Sequence, residues 1–136
     1  MRTIRKIIVH CSATPPEWGR GLSVSEIADQ IRGWHLKRGW SDIGYHFVIG
    51  RDGKITKGRP VDIQGAHVKG QNADSIGVCL VGGKDSRAHH EFHQHFTPQQ
   101  RAQGLVLLAE LAESYMPNLK VFGHNDFTDK KACPGI

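Results

Sequence analysis

Three candidate zinc ligands lie near the ends of predicted strands. His10 follows the apolar run at residues 4–9, His124 follows a second short apolar segment, and Cys133 comes nine residues after His124. Two imidazoles and a thiolate are good zinc ligands, and three protein ligands leave the fourth tetrahedral position for water, as in catalytic sites. Spacing alone leaves another interpretation open, in which both histidines are ordinary strand-end residues and Cys133 is a small core residue.

The elements that must position these residues are predicted in the order β-α-β-β-β-α-β. Apolar runs rich in Ile and Val favour buried strands, and a Gly-containing turn favours a hairpin. The strands are predicted at residues 4–9, 45–49, 54–58, 76–81 and 119–122. The helices begin after the N-caps Ser23 and Thr97, each followed three residues later by Glu or Gln as in a capping box. This order predicts an α/β (α+β) fold, with helices packed on one sheet.

Composition limits the class of protein. The chain has 136 residues, which suits a single domain over 1–136, and no apolar stretch is long enough for a transmembrane span or a signal peptide. Lys and Arg number 18 against 13 Asp and Glu, and the net charge of +5 suits a polyanionic partner without choosing among them. Three cysteines, an odd number in a chain without a signal, argue against a disulfide framework.

Four motifs occur together and in a fixed order. They are "VHCSAT" around His10, "GWSDIGYHFVIGRDG" at 39–53, "GAHVKGQNADSIGVCLVGG" at 65–83 and "GH…KACPG" within 123–135. Together they resemble the zinc-dependent N-acetylmuramoyl-L-alanine amidases of the phage T-seven lysozyme type, which share a fold with peptidoglycan recognition proteins. The resemblance spans nearly the whole chain. It implies a single mixed β-sheet flanked by helices, with a zinc cleft at one end of the sheet.

The resemblance also implies which residues bind the metal. One Zn²⁺ per chain would be held by His10, His124 and Cys133. The loop from His124 to Cys133 looks one residue longer than in the phage lysozyme. Lys131 matches the catalytic lysine of the family, and Lys130 is its rival because of the longer loop.

Two further residues match the family's cleft. Tyr45 in "GYHF" corresponds to the active-site tyrosine, and His67 in "GAHVKG" corresponds to a histidine that lines the cleft and binds substrate. In amide hydrolysis a lysine can stabilise the developing oxyanion, and a tyrosine hydroxyl can orient the attacking water or move its proton. We therefore expect Tyr45 and Lys131 to be catalytic. The sequence does not identify a general base.

The expected function is hydrolysis of the bond between N-acetylmuramic acid and L-alanine in peptidoglycan. The chain would be a phage or prophage endolysin, made in the cytoplasm as a monomer and acting on the cell wall after release; a bacterial recycling amidase is the alternative. A non-catalytic peptidoglycan-binding module of the same fold is the main competing function. A nucleic-acid binder is disfavoured, because the chain lacks a basic stripe with interleaved aromatic residues.

A histidine-rich segment at 89–95 resembles a zinc-protease motif without matching it. The HExxH pattern needs a second histidine three positions after Glu91, and Gln94 stands there. We interpret the segment as a solvated loop. Cys11 and Cys79 lie in apolar strands and are predicted to be core residues.

Overall fold

A computed structural model describes residues 2–85, 92–115 and 119–123 of the chain. Five strands and two helices follow the predicted order, which confirms it. They are β1 Lys6–Cys11, α1 Val24–Lys37, β2 Phe47–Ile49, β3 Ile55–Lys57, β4 Ser75–Leu80, α2 Pro98–Tyr115 and β5 Lys120–Gly123. Two single-turn 3-10 helices lie at Asn72–Asp74 and Phe92–Gln94.

The strands form one mixed sheet in the order β3-β2-β4-β1-β5. β1 pairs in parallel with both β4 and β5, β2 pairs in parallel with β4, and β2 and β3 form an antiparallel hairpin. This topology confirms the predicted mixed α/β sheet. The parallel strands β1, β4 and β5 end at the same edge of the sheet, which is where α/β folds usually place their sites.

The sheet is buried on both faces. Alternate residues of β1, such as Ile7 and Val9, pack in the core cluster that includes Leu107 and Leu111 of α2. The opposite face packs against α1, in a cluster that includes Ile31 and Val48. Side chains alternate between the faces of a strand, and His10 is therefore on the α1 face.

The two buried cysteines confirm the sequence interpretation of core packing. Cys11 belongs to the cluster on the α2 face of the sheet, whereas Cys79 belongs to the cluster on the α1 face. Because they lie on opposite faces of neighbouring strands, the two thiols do not point toward each other.

Both helices start as the sequence predicts. The Ser23 side chain accepts a hydrogen bond from the Glu26 N–H, and the Glu26 carboxylate accepts one from the Ser23 N–H. At the other end of α1, Gly39 adopts φ 92°, the left-handed conformation that suits glycine after a helix. In α2, Thr97 and Gln100 make the same reciprocal pair of hydrogen bonds.

The buried face of α2 agrees only in part with the apolar spacing of the sequence, which predicts a buried stripe of Leu105, Leu108, Ala109, Ala112, Tyr115 and Met116. Leu108 and Tyr115 pack against the core as predicted, and Met116 lies outside the described residues. The structure differs in burying Leu107 and Leu111 and in leaving Leu105 55% exposed. The cause is Gln100, which is fully buried and donates through Nε2 to the carbonyls of Ile49 and Val81.

Gln100 sets the rotation of α2 about its axis. Leu107 and Leu111, seven and eleven residues after Gln100, lie on the same face of the helix and are buried with it. Residues 105–108 are four consecutive apolar residues, so the apolar pattern alone does not determine which side of α2 faces the sheet. The buried amide of Gln100 determines it. A cavity of about 240 Å³ remains between α2 and the sheet, lined in part by Val78, Gly104 and Leu105.

Candidate active site

His10 stands at the edge of the sheet where the parallel strands end. It is the last residue but one of β1, the strand between β4 and β5, and it is only 1% exposed. Burial on this scale holds the imidazole in one orientation. A buried polar ring must also be satisfied by hydrogen bonds, and its partners define the rest of the site.

The first of these partners is His67, which the chain brings from the loop before β4. His10 Nε2 and His67 Nδ1 are 2.8 Å apart, which is hydrogen-bonding distance. The two rings are nearly perpendicular, at 88°, with centroids 4.8 Å apart. His67 therefore contacts the candidate zinc ligand directly, in addition to any contact with substrate.

Tyr45 completes the described part of the cluster. Its ring centroid lies 5.2 Å from that of His10 and 5.5 Å from that of His35 on α1. Tyr45 is half-buried, and its carbonyl accepts a hydrogen bond of 2.9 Å from the Arg59 N–H. A Cβ on residue 58 would lie 2.3 Å from this carbonyl, so only Gly58 lets the chain pass so closely. The segment before β2 thus holds the phenol beside the two imidazoles.

Two further histidines, His35 and His46, pack against the residues of this cluster. His35 Nδ1 accepts a hydrogen bond of 2.8 Å from the Gly44 N–H, next to Tyr45. His46 is fully buried, with its ring 6.0 Å from that of His67. Burial, which penalises the charged imidazolium, lowers the pKa of His46 to about 4, and His46 is therefore neutral near pH 7.

Sequence reasoning assigned no role to two residues of the motif "QNADSIG". Asn72 Oδ1 accepts hydrogen bonds from the N–H groups of His67 and Val68, at 3.0 and 2.9 Å. Ser75 Oγ lies 3.2 Å from His67 Nε2. The signal was present in the sequence, as Asn and Ser shortly after a candidate histidine, but a turn before a strand commonly contains these residue types for local reasons.

The structure brings together His10, Tyr45 and His67, three of the six residues that the sequence singled out. His124, Lys131 and Cys133 lie outside the described residues. The described part of the chain ends one residue before His124, in strand β5, which pairs with β1. Gly123, the residue before His124, pairs with Val9, the residue before His10.

Two statements about metal and membrane apply to the described residues only. Across 2–85, 92–115 and 119–123, no three or more His, Cys, Asp or Glu side chains are grouped so that they could hold a metal ion. None of the helices in this part of the chain is both long and apolar enough to cross a membrane. Of the histidine-rich segment, residues 89–91 are not described; Phe92–Gln94 form a 3-10 turn in which His93 is exposed.

Comparison with known proteins is consistent with this geometry. The chain is 44% identical to the endolysin of Enterobacteria phage K11 over 131 residues, which are 96% of this chain and 80% of the phage protein. Among solved structures it resembles the N-acetylmuramoyl-L-alanine amidase LysC from Clostridium intestinale URNW, with a TM-score of 0.76, 31% identity and coverage of 99% and 78% of the two chains.

It also resembles wild-type PGRP-LB of Drosophila, with a TM-score of 0.80 and 31% identity over 99% of this chain and 76% of the other. The sequence profile of the family described as N-acetylmuramoyl-L-alanine amidase matches residues 1–136. Both the fold and the resemblance inferred from the sequence motifs are thereby confirmed, and the chain belongs to the N-acetylmuramoyl-L-alanine amidase family.

Proposed function

We propose that this protein hydrolyses the amide bond between N-acetylmuramic acid and L-alanine in peptidoglycan, as a phage endolysin formed by a single amidase domain. Three facts support the proposal. The family profile covers the chain, phage endolysins are among its relatives, and an amidase shares its fold. The cluster of His10, Tyr45 and His67 brings a candidate zinc ligand and a candidate catalytic tyrosine together at the end of the sheet.

One Zn²⁺ per chain is proposed at this site, bound by His10, His124 and Cys133. The observation that carries this proposal is the pairing of Val9 with Gly123, because one peptide bond beyond each of these residues stands a candidate ligand. A buried imidazole whose second nitrogen is hydrogen-bonded fits a zinc ligand well. The set of two imidazoles and one thiolate also suits zinc better than magnesium or calcium.

The chemistry divides between the metal and the side chains. When bound, zinc lowers the pKa of coordinated water to about 7 and polarises a carbonyl. The Tyr45 hydroxyl orients the attacking water or passes its proton to the leaving amine. Lys131, as a fixed cation, stabilises the oxyanion of the tetrahedral intermediate. The half-buried setting of Tyr45 holds the phenol in place while leaving it accessible to the substrate.

The test measures zinc content and cleavage in the same preparation. Protein purified without added metal should contain about one zinc per chain, and it should release new L-alanine N-termini from purified peptidoglycan. Cys133→Ala should lose the metal and the activity. His93→Ala is the control, because His93 is exposed on the 3-10 turn and should change neither.

Two results would change the assignment. If Cys133→Ala keeps full zinc occupancy, the proposed ligand set is wrong. If wild-type protein with full zinc binds peptidoglycan but releases no alanine N-termini, the protein is a binding module of this fold. A loss of zinc in His93→Ala would place a metal at the histidine-rich segment instead.

A further inference from the structure

The orientation of His67 is fixed from several sides. Its backbone is held by Asn72, whose Oδ1 accepts hydrogen bonds from two consecutive N–H groups at 3.0 and 2.9 Å. Its ring lies against the main chain at two glycines. A Cβ at Gly77 would lie 2.6 Å from His67 Cδ2, and one at Gly65 would lie 2.8 Å from the same atom. The imidazole therefore occupies a slot that only glycine leaves open.

Ser75 determines which nitrogen of His67 carries the proton. The Ser75 hydroxyl has one hydrogen, and it donates this hydrogen to the Gln71 carbonyl at 2.7 Å. The same oxygen lies 3.2 Å from His67 Nε2 and can only accept there. His67 Nε2 must then carry the proton, and in the neutral ring Nδ1 is the acceptor.

The same reasoning extends to the candidate zinc ligand. His67 Nδ1, as an acceptor, receives the hydrogen bond of 2.8 Å from His10 Nε2. His10 must therefore carry its proton on Nε2, and its unprotonated nitrogen is Nδ1. Metal-binding histidines usually donate their other N–H to a carboxylate, carbonyl or water. With both rings in the neutral form, the acceptor here is a second imidazole, which is itself held by a serine.

We propose that His67 and Ser75 are positioning residues that act through His10, fixing its tautomer so that Nδ1 is the atom that binds the metal. This proposal rests on the zinc site proposed above. It gives His67 a role different from the substrate contact inferred from the motif. It also explains why the chain places a serine, fully buried, at the first position of β4.

The tautomers can be read directly in the wild-type protein. Metal-free, ¹⁵N-labelled protein at neutral pH is examined by long-range ¹H–¹⁵N correlation of the imidazole rings, with His10→Asn and His67→Asn used to assign the signals. Both rings should show the proton on Nε2. Protonation of His10 on Nδ1 in the metal-free protein would overturn the proposal, and this measurement requires neither activity nor any variant of Ser75.

Zinc affinity gives the second test. Ser75→Ala removes the acceptor of His67 Nε2, and the zinc Kd, measured by competition with a chromophoric chelator, should rise by about 10- to 100-fold. Ser114→Ala is the matched control, because Ser114 Oγ also donates to the carbonyl four residues earlier, that of Glu110, but on the exposed side of α2. Its Kd should stay at the wild-type value.

Ser75→Thr keeps the hydroxyl and should restore both the tautomers and most of the affinity. If folded Ser75→Ala binds zinc as tightly as wild type with unchanged tautomers, the positioning role is wrong. These measurements separate the two proposals: wild-type protein that binds no zinc contradicts the proposed zinc site, whereas zinc bound through His10 with its proton on Nδ1 contradicts only the positioning role.

Discussion

His46 accepts, through Nδ1, a hydrogen bond of 3.0 Å from the N–H of Gly77 in the central strand β4. Its Nε2 is 2.8 Å from the Ile63 carbonyl and must therefore carry the proton. The guanidinium of Arg2, 3.1 Å from Nε2, further disfavours a positive charge on the ring. Protonation of His46 at Nδ1 would break the hydrogen bond from Gly77. The imidazole next to His67 is therefore held in its neutral form.

Stability should therefore fall as the pH decreases from about 6.5 to 4. The pKa of His46 is about 4 in the folded protein, against about 6.5 for an unperturbed histidine, mainly because of burial. Below pH 6.5 the unfolded chain binds a proton that the folded chain does not, and the difference amounts to about 3 kcal/mol by pH 4. Urea unfolding of metal-free protein across this range measures it.

His46→Gln is the comparison for that experiment, since an amide can accept from Gly77 and donate to Ile63 without titrating. The unfolding free energy of the wild type, taken relative to that of the variant, should fall by about 3 kcal/mol between pH 7 and 4. Parallel curves for the two proteins would contradict the assignment of this pH dependence to His46.

Tyr45→Phe should reduce turnover by about 10²- to 10⁴-fold if the hydroxyl moves a proton or holds the attacking water. Zinc content and folding should be retained, because the ring contacts with His10 and His35 do not involve the hydroxyl. Tyr115→Phe, at the far end of α2, is the control and should be fully active. Equal turnover for Tyr45→Phe and wild type would remove Tyr45 from the mechanism.

Lys131→Ala should keep zinc and fold but lose about 10²- to 10³-fold in rate, the usual cost of removing one oxyanion-stabilising group. Binding of uncleaved muropeptide should persist. Lys130→Ala serves as the register control and should be active. The reverse pattern, an inactive Lys130→Ala beside an active Lys131→Ala, would move the catalytic lysine by one position.

Gly104→Ala should stabilise the protein by about 1 kcal/mol, the helix-propensity difference between the two residues. A Cβ at position 104 would meet Ile49 Cδ1 at 3.7 Å, an ordinary contact at the edge of the α2 cavity. Gly44→Ala provides the contrast, because its Cβ would lie 2.1 Å from the Ala66 carbonyl oxygen. That variant should lose about 1–3 kcal/mol. Thermal unfolding of both variants tests the pair, and a destabilised Gly104→Ala would contradict the packing described for α2.

The parts of the fold that depend on neighbouring residues could be predicted from the sequence. The capping boxes at Ser23 and Thr97 and the apolar run at 76–81 are local signals, and both helices and the central strand appeared where these signals occur. The rotation of α2 could not be predicted. It depends on hydrogen bonds from Gln100 to Ile49 and Val81, which are distant in sequence.

The candidate site shows the same division. His10 and Tyr45 were identified by motif, and the structure places their rings close together. Ser75 was not identified, because its contact with His67 depends on the path of the loop before β4. The roles of His124, Lys131 and Cys133 stay predictions.

The pairing of β5 with β1 has a consequence for how the protein is made. β1 contains residues 6–11, whereas its parallel neighbour β5 contains residues 120–123. Strand pairs so far apart in sequence form only after the intervening chain has been synthesised, since a ribosome delivers residues from the N-terminus onward. A nascent chain that ends before residue 120 has His10 but lacks the strand that leads to His124. Wall-degrading capacity is therefore acquired late, only after β5 has been synthesised and has docked beside β1.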